Sequence, residues 1–239
     1  MFKYNLDFRN SKTLHESIED LAHRIALNGL LEINDTKYRI VDFEFYLNST
    51  NEIAQDPHTY NNYLQKTSGR LYDHASGLDI TFGDNNNAVG VLIRGIAKLG
   101  TKDKIDSSKY FIDEYFDGPH KARTELIGNL RFNETNTLTF LETSTEIGTF
   151  LKPHDVKIVS TKRVNLTPKT DDPTHKFINE NLRYIVLIPR YYSEDNKLVF
   201  NGNPIKIKGL EKEIKNALVN NLIDVETAQN MLGYKLSLK

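Results

Sequence analysis

The amino-acid sequence predicts an α+β fold, in which a curved and mainly antiparallel β-sheet is packed by helices. Three observations support this prediction. Segments of alternating apolar and polar residues recur along the chain, segments with helical spacing lie near its two ends, and no repeat, low-complexity run or long linker divides it. With 239 residues, the chain is long enough for one sizeable core, so we expect a single domain over residues 1–239.

Composition and charge exclude several kinds of site. The chain contains no Cys, which excludes disulfides, thiolate metal sites and a cysteine nucleophile. Its net charge of −1 counts against strong non-specific binding of nucleic acid, because such binding depends on Lys and Arg neutralising phosphates. No apolar run reaches the ~18 residues of a membrane span, and the segment MFKYNLDFRNSK lacks the apolar region of a secretory signal. We therefore expect a soluble, cytoplasmic protein.

The first predicted element is a helix. Thr13 and Glu16 have the spacing of a capping box, and apolar residues recur on one helical face at Leu14, Ile18, Leu21, Ala22 and Ile25. Asn28-Gly29 is a stop signal, and residues 30–33 are then predicted to form a short strand that ends at the Asn34-Asp35 turn.

The strand KYRIVDFEFYL (residues 37–47) is the most informative segment. Alternation places Val41, Phe43, Phe45 and Leu47 on one face and Ile40, Asp42, Glu44 and Tyr46 on the other. The first face is typical of a core. The second brings two carboxylates and a tyrosine together, which is unusual for a strand and suits the wall of a functional site.

A long polar connection and a hairpin come next in the chain. Residues 48–69 have few periodic apolar residues, and connections of that length are usually functional or mobile. Residues 77–82 and 88–96 are predicted to form two strands around a Gly-Asp-Asn-Asn-Asn turn. Arg94 interrupts the second, apolar strand, so we expect a carboxylate partner for its charge.

The remainder of the chain is predicted to be strand-rich before it becomes helical. Pro119 lies at or near the start of a helix that extends to about residue 130. The later predicted elements are strands at residues 137–141, 156–159 and 184–188 and helices at residues 210–220 and 225–232.

Several segments, in this order, resemble the alkyladenine (3-methyladenine) family of DNA glycosylases. LAHRIALNGLLEI resembles the opening helix and strand of that family, and RIVDFEFYLN resembles its strand with an acidic residue, a spacer, Tyr and Leu. DPHTY resembles its histidine loop, and GRLYDHASGLDITF resembles its Gly-x-Leu-Tyr hairpin. GVLIRGI resembles its strand ending in Arg, and DGPHKARTELIGNL resembles its Gly-Pro helix start. The resemblance is best over residues 14–130, and residues 206–239 are expected to be a helical addition.

The resemblance implies roles for individual residues. Glu44 corresponds to the catalytic glutamate, which activates or orients the water that attacks the sugar carbon as the N-glycosidic bond breaks. Tyr46 and His58 correspond to the aromatic pair that sandwiches a flipped base, and Arg94 to the arginine that helps to hold the water and the phosphate. Tyr72 and His74, on the matched hairpin, are further candidates for base binding. The implied enzyme needs no cofactor and no metal.

The catalytic candidates also have structural interpretations. Glu44 can serve as the ion-pair partner that neutralises Arg94 inside the sheet. Tyr46 alone is typical of a half-buried aromatic on a sheet, and His58 alone is typical of a solvated loop residue.

The remaining carboxylates and histidines carry weaker signals. Asp42 and Asp79 are either residues that contact and orient the site residues or carboxylates on the surface. The surface position is the preferred interpretation. His74 beside Asp73 is discounted as an acid–base pair, because neighbours on a strand point to opposite faces. The sequence has no H-E-x-x-H spacing, no G-x-G-x-x-G, no P-loop and no G-x-S-x-G motif.

The hairpin departs from the family pattern. Where the family inserts a tyrosine into the vacated base stack, this chain has Ser76 or a neighbour, with no large side chain. With the near-neutral charge, this change disfavours duplex DNA and leaves single-stranded nucleic acid, a modified purine nucleoside or a modified base as ligands. We consider three hypotheses: a DNA glycosylase acting on a damaged or modified purine, a non-catalytic module that binds nucleobases or nucleic acid, and a hydrolase of small nucleosides.

Overall fold

The structure, a computed structural model, describes most of the chain up to Thr170 and a smaller part of the residues after it. The described residues are 3–51, 53–101, 110–131, 135, 137–142, 157–170, 176–187, 191–192, 198–199, 215, 218–219 and 225. The helices are α1 (Ser11–Asn28), α2 (Pro119–Gly128) and α3 (Lys176–Asn179). The strands are β1 (Gly29–Ile33), β2 (Thr36–Ser49), β3 (Leu71–His74), β4 (Gly77–Thr81), β5 (Asn87–Thr101), β6 (Tyr110–Asp117), β7 (Leu138–Glu142), β8 (Lys157–Thr161), β9 (Arg183–Leu187), β10 (Tyr191–Tyr192) and β11 (Leu198–Val199).

A curled antiparallel sheet organises the described residues, and the α+β prediction is confirmed at that level. The two longest strands, β2 and β5, pair along their length at its centre. Beyond β5, the sheet continues through β4 to β3 on one half and through β6 on the other. Beyond β2, it divides between β1 with β7 and β9 with β8. Every pairing within this sheet is antiparallel.

Helix α1 covers the sheet through the apolar face that the sequence predicts. Its buried residues are Leu14, Ile18, Leu21, Ala22, Ile25 and Ala26. The predicted capping box of Thr13 with Glu16 is wrong, since Asn10 caps the helix and pairs with Thr13. The amide of Thr13 donates to Asn10 Oδ1 over 3.0 Å, and the amide of Asn10 donates to Thr13 Oγ1 over 3.3 Å. Asn is an equally good cap and lies one turn earlier.

The hairpin and the second helix also lie where they were predicted. Strands β4 and β5 pair around the polar turn, and α2 begins at Pro119 after Gly118, whose φ of 99° suits a glycine. Strand β6 was not predicted from the sequence, because the segment YFIDEYFD lacks the alternation of apolar and polar residues that indicates a strand. The predicted helices at residues 210–220 and 225–232 lie almost wholly outside the described residues.

The predicted apolar face of β2 is confirmed as core. The rings of Phe43 and Tyr184 stack at 5.6 Å, and Phe45 meets the ring of Tyr184 edge-on at the same centroid distance. These contacts hold β9 against β2 where the two strands pair. The opposite face, with Asp42 and Glu44, is equally buried.

Candidate functional site

Four charged side chains form a buried ionic cluster at the centre of the sheet. Arg183 donates to both carboxylate oxygens of Asp42, over 2.9 Å from Nε and 2.8 Å from a terminal nitrogen. Arg94 lies 3.3 Å from Glu44 Oε1 and 3.7 Å from Asp42 Oδ2. The predicted carboxylate partner of Arg94 is thus confirmed. Two positive and two negative charges balance, as a buried cluster requires.

A distortion of the central strand pair brings these groups together. The pairing register of β2 with β5 shifts on both sides of Asp42, opposite Gly95. A bulge re-aims side chains on the distorted strands, and here it lies next to both Asp42 and Arg94. The preferred surface interpretation of Asp42 is wrong, because the residue is 1% exposed. Arg183 was not predicted as a site residue. Like Arg94, it is an arginine next to the apolar residues of a strand, and that pattern indicates a carboxylate partner.

Glu44 lies beneath Tyr46 and is completely buried. The Tyr46 hydroxyl donates to Glu44 Oε2 over 2.7 Å, and the amide of Val164 donates to Oε1 over 3.1 Å. Burial raises the pKa of Tyr46 well above its usual range, and the negative charge of Glu44 raises it further. The phenol therefore stays protonated and remains a donor to the carboxylate.

The ring of Tyr46 is supported from behind by Arg163. The guanidinium of Arg163 lies 4.6 Å from the ring centroid and donates to Asp56 Oδ2 over 2.5 Å and to the Phe45 carbonyl over 3.1 Å. Arg163 and Asp56 have fully buried side chains. The polar connection is therefore fixed to the sheet at Asp56, two residues before the predicted His58. Neither Arg163 nor Asp56 was a candidate from the sequence.

A cavity of about 230 Å³ opens above Tyr46. It is lined by Tyr46, His58, Thr59, Tyr60, Gln65, His74, Ser76, Asp79, Leu92, Leu166 and Lys169. Three of the predicted base-binding residues, Tyr46, His58 and His74, thus share one cavity. Tyr72 is not among the lining residues, but its ring packs against His74 at 4.9 Å. Glu44 and Arg94 do not line the cavity either and lie in the ionic cluster below it.

His74 is fixed by hydrogen bonds at both ring nitrogens. Its Nδ1 lies 3.2 Å from the amide of Ser76, which can only donate, so Nδ1 accepts and Nε2 carries the proton. That proton points to Asp79 Oδ1, 2.9 Å away. Both ring nitrogens are consequently engaged by neighbouring residues. Asp73 binds Arg123 instead, which agrees with discounting it as a partner of His74.

Asp79 is a buried anchor of the cavity, and the preferred surface interpretation is wrong for this residue too. It is 1% exposed, and its Oδ2 accepts a 3.0 Å hydrogen bond from Gln65 Nε2. Gly90 on β5 makes room for this pair, because a Cβ there would lie 2.3 Å from Asp79 Oδ2 and 2.7 Å from Gln65 Nε2. Alternation along the hairpin strands shows which residues share a face with Asp79. It does not show that the connection containing Gln65 covers that face.

The rim of the cavity carries a lysine and a tyrosine. Lys169 donates to the Pro57 carbonyl over 2.5 Å. Tyr60 is 52% exposed, and its hydroxyl lies 2.9 Å from that of Ser76. The described part of the chain holds no group of three His, Asp or Glu residues that could ligate a metal ion. In the same residues, no helix combines the length and the apolar character that a membrane crossing requires.

Comparison with known proteins relates part of the chain to a viral protein. The chain is similar to an uncharacterized protein of Acanthamoeba polyphaga mimivirus, with 27% identity over 144 residues. The match covers 50% of this chain and 61% of the viral protein, so the chain spans about three fifths of that relative's length. No family model matches the chain. The function is therefore inferred from the geometry of the site.

Proposed function

We propose that this protein is a DNA glycosylase-like hydrolase that cleaves the N-glycosidic bond of a damaged or modified purine, on a fold related to the alkyladenine glycosylases. The observation that carries the proposal is the position of Glu44 directly beneath an aromatic cavity, joined to it by the hydroxyl of Tyr46. The ordered sequence segments that resemble that family, from the opening helix to the Gly-Pro helix start, support it independently.

The cavity suits a planar base. Tyr46, His58 and His74 line it with aromatic rings, and stacking of a base on one aromatic face contributes about 1–3 kcal/mol. The ring of His74 is held by Asp79 and Ser76, and the guanidinium of Arg163 packs against that of Tyr46. Rings that are already ordered lose little freedom when a ligand binds. A base that enters therefore meets pre-arranged surfaces.

The chemistry assigned to Glu44 needs one water molecule. The water oxygen bonds to the sugar carbon, the carbon–nitrogen bond breaks with its electron pair leaving on the base, and Glu44 takes the proton from the water. The negative charge also stabilises the positive sugar in the transition state. Water reaches the buried carboxylate when a ligand displaces the hydroxyl of Tyr46. Arg94, 3.3 Å from Oε1, orients the carboxylate of Glu44.

The test is base release from alkylated or deaminated DNA, single-stranded and double-stranded. Glu44→Gln should abolish release and leave nucleobase binding unchanged. Asp42→Asn is the matched control, since it removes the same charge from the same buried cluster. Activity is expressed per folded molecule from circular dichroism and thermal unfolding. Equal residual release by the two variants would remove Glu44 from the proposed mechanism.

A second candidate is a non-catalytic module that binds nucleobases or nucleic acid. It is favoured by the complete engagement of the Glu44 carboxylate, which contacts Arg94, Tyr46 and the Val164 amide. This candidate predicts binding of nucleobases without release of base from any DNA. Release from free nucleosides alone, with no competition by DNA, would instead indicate a nucleoside hydrolase.

A further inference from the structure

Tyr60 is a half-exposed residue whose ring is nevertheless held in place. Its ring centroid lies 4.9 Å from that of His74 and 6.2 Å from that of Tyr72, and the second contact is edge-on. Its hydroxyl lies 2.9 Å from Ser76 Oγ at the tip of the β3–β4 hairpin. Contacts with one hairpin thus fix a side chain that comes from the long polar connection, while 52% of the residue remains exposed.

Tyr60 therefore belongs both to the cavity and to the exposed surface beside it. It contributes to the lining of the cavity, next to His74, and it also faces solvent at the cavity rim. The cavity holds one base in the proposed function. Nucleic acid that continues from that nucleotide has to leave over the rim, where an ordered aromatic surface is available for the next base.

We propose that Tyr60 stacks on the base next to the one in the cavity, so that the ligand is a nucleotide within a single strand of nucleic acid. The inference rests on the proposed function and adds the class of ligand to it. Stacking tolerates any base, because every base has an aromatic face. The site therefore selects a strand over a free nucleoside without selecting its sequence at this position.

The charges around the rim favour a single strand over a duplex. Among the residues that line the cavity, Lys169 carries a positive charge. The positive charge of Arg123, on α2, is paired with Asp73 of the hairpin. The chain as a whole has a net charge of −1. Duplex binding depends on neutralising many phosphates, whereas single-strand binding gains a larger share of its free energy from stacking.

The test measures binding of a short, fluorescein-labelled single-stranded DNA of mixed sequence by fluorescence anisotropy. Binding of free adenosine is measured in parallel by equilibrium dialysis, with the full-length chain throughout. Tyr60→Ala should weaken DNA binding about 10-fold more than it weakens adenosine binding, whereas Tyr60→Phe should keep both. Tyr63→Ala is the matched control, because Tyr63 belongs to the same connection, is 75% exposed and does not line the cavity.

Several results would overturn the inference. Equal DNA affinity of Tyr60→Ala and Tyr63→Ala would show that Tyr60 does not stack on a neighbouring base. Binding of adenosine by the wild type without binding of DNA would leave the base cavity standing and exclude a strand as its ligand. Binding of neither would contradict the base cavity itself, and with it the proposed function. Tighter binding of the same sequence as a duplex would replace the single strand with double-stranded DNA.

Discussion

The hydroxyl of Tyr46 donates a 2.7 Å hydrogen bond to Oε2 of Glu44, so a wall of the cavity is also the cover of the buried carboxylate. The two residues are next but one on β2 and therefore share a face of the strand. A ligand that displaces the hydroxyl opens a route to the carboxylate, whereas a ligand that leaves it in place meets only a ring. A ligand that leaves this hydrogen bond intact is therefore only bound, whereas one that breaks it can also react.

Substitutions at Tyr46 should separate these two roles. Tyr46→Phe keeps the ring, so nucleobase affinity should stay within about 2-fold, while the loss of a hydrogen bond to a buried charged group should lower the free energy of unfolding by about 1–3 kcal/mol. Tyr46→Ala removes the ring and should weaken base binding about 10-fold. Equilibrium dialysis and urea unfolding measure the two effects. Equal affinity of the two variants would show that the ring does not contact the base.

Gly90 should be essential to the cavity although it contributes no side chain. Gly90→Ala would place its Cβ 2.3 Å from Asp79 Oδ2, which forces Asp79 and Gln65 apart and releases His74. We expect a loss of about 1–3 kcal/mol in the free energy of unfolding and a clear loss of base binding. Gly128→Ala is the control, since its Cβ would meet nothing within 4 Å. Matching losses in the two variants would contradict this assignment to Gly90.

Much of the fold can be predicted from local patterns in the sequence. The apolar face of α1 and the β4–β5 hairpin rest on spacing and turn residues within a single segment, and both predictions are confirmed. Asp42 and Asp79 were assigned to the wrong environment for a common reason. Alternation along a strand shows which residues share a face, but it does not show which distant segment covers that face.

The parts of the site that could not be predicted come from such distant segments. Arg163 and Arg183 meet Asp56 and Asp42 across more than a hundred positions of the chain, and no local pattern links them. Tyr60 lies in a connection without periodicity, so only the fold shows that it reaches the hairpin. Glu44 was expected in the wall of the site, but it is buried and contacts Arg94 and the amide of Val164, which is 120 positions further along the chain.

Buried tyrosines should make the protein sensitive to high pH. Burial raises the pKa of Tyr38, Tyr46 and Tyr184 above their ordinary value, so the folded state holds their protons more tightly than the unfolded chain does. Their contribution to stability is therefore complete below about pH 10 and is lost as the pH rises toward the raised values. Each group lowers the free energy of unfolding by about 1.4 kcal/mol per pH unit in that window.

The measurement is urea unfolding at a series of pH values above about 10, with tyrosinate absorbance as a second signal. Tyr184→Phe should reduce the slope of stability against pH by about 1.4 kcal/mol per pH unit, because it removes one linked group. Tyr63→Phe should leave the slope unchanged, since Tyr63 is 75% exposed. A slope that is insensitive to Tyr184→Phe would place the alkaline transition elsewhere in the protein.

The ionic cluster should behave as one coupled unit. Glu44→Gln leaves Arg94 with only its 3.7 Å approach to Asp42, and an uncompensated buried charge costs about 3–5 kcal/mol. Arg94→Gln removes the positive partner of Glu44 and leaves the negative charge of that carboxylate uncompensated. The double variant Glu44→Gln/Arg94→Gln restores neutrality and keeps Asp42 paired with Arg183, so its loss should be smaller than the sum of the single losses by about 1–3 kcal/mol.

An exposed ion pair provides the comparison for this cycle. Arg131 and Asp35 approach to 2.9 Å with side chains that are 53% and 91% exposed, so their coupling should be below about 1 kcal/mol and should fall further in salt. The coupling of Glu44 with Arg94 should change little in salt, because solvent ions do not reach the cluster. Additive losses at Glu44 and Arg94 would mean that Arg94 is neutralised by Asp42 alone, which would free Glu44 from its structural role and strengthen its assignment to catalysis.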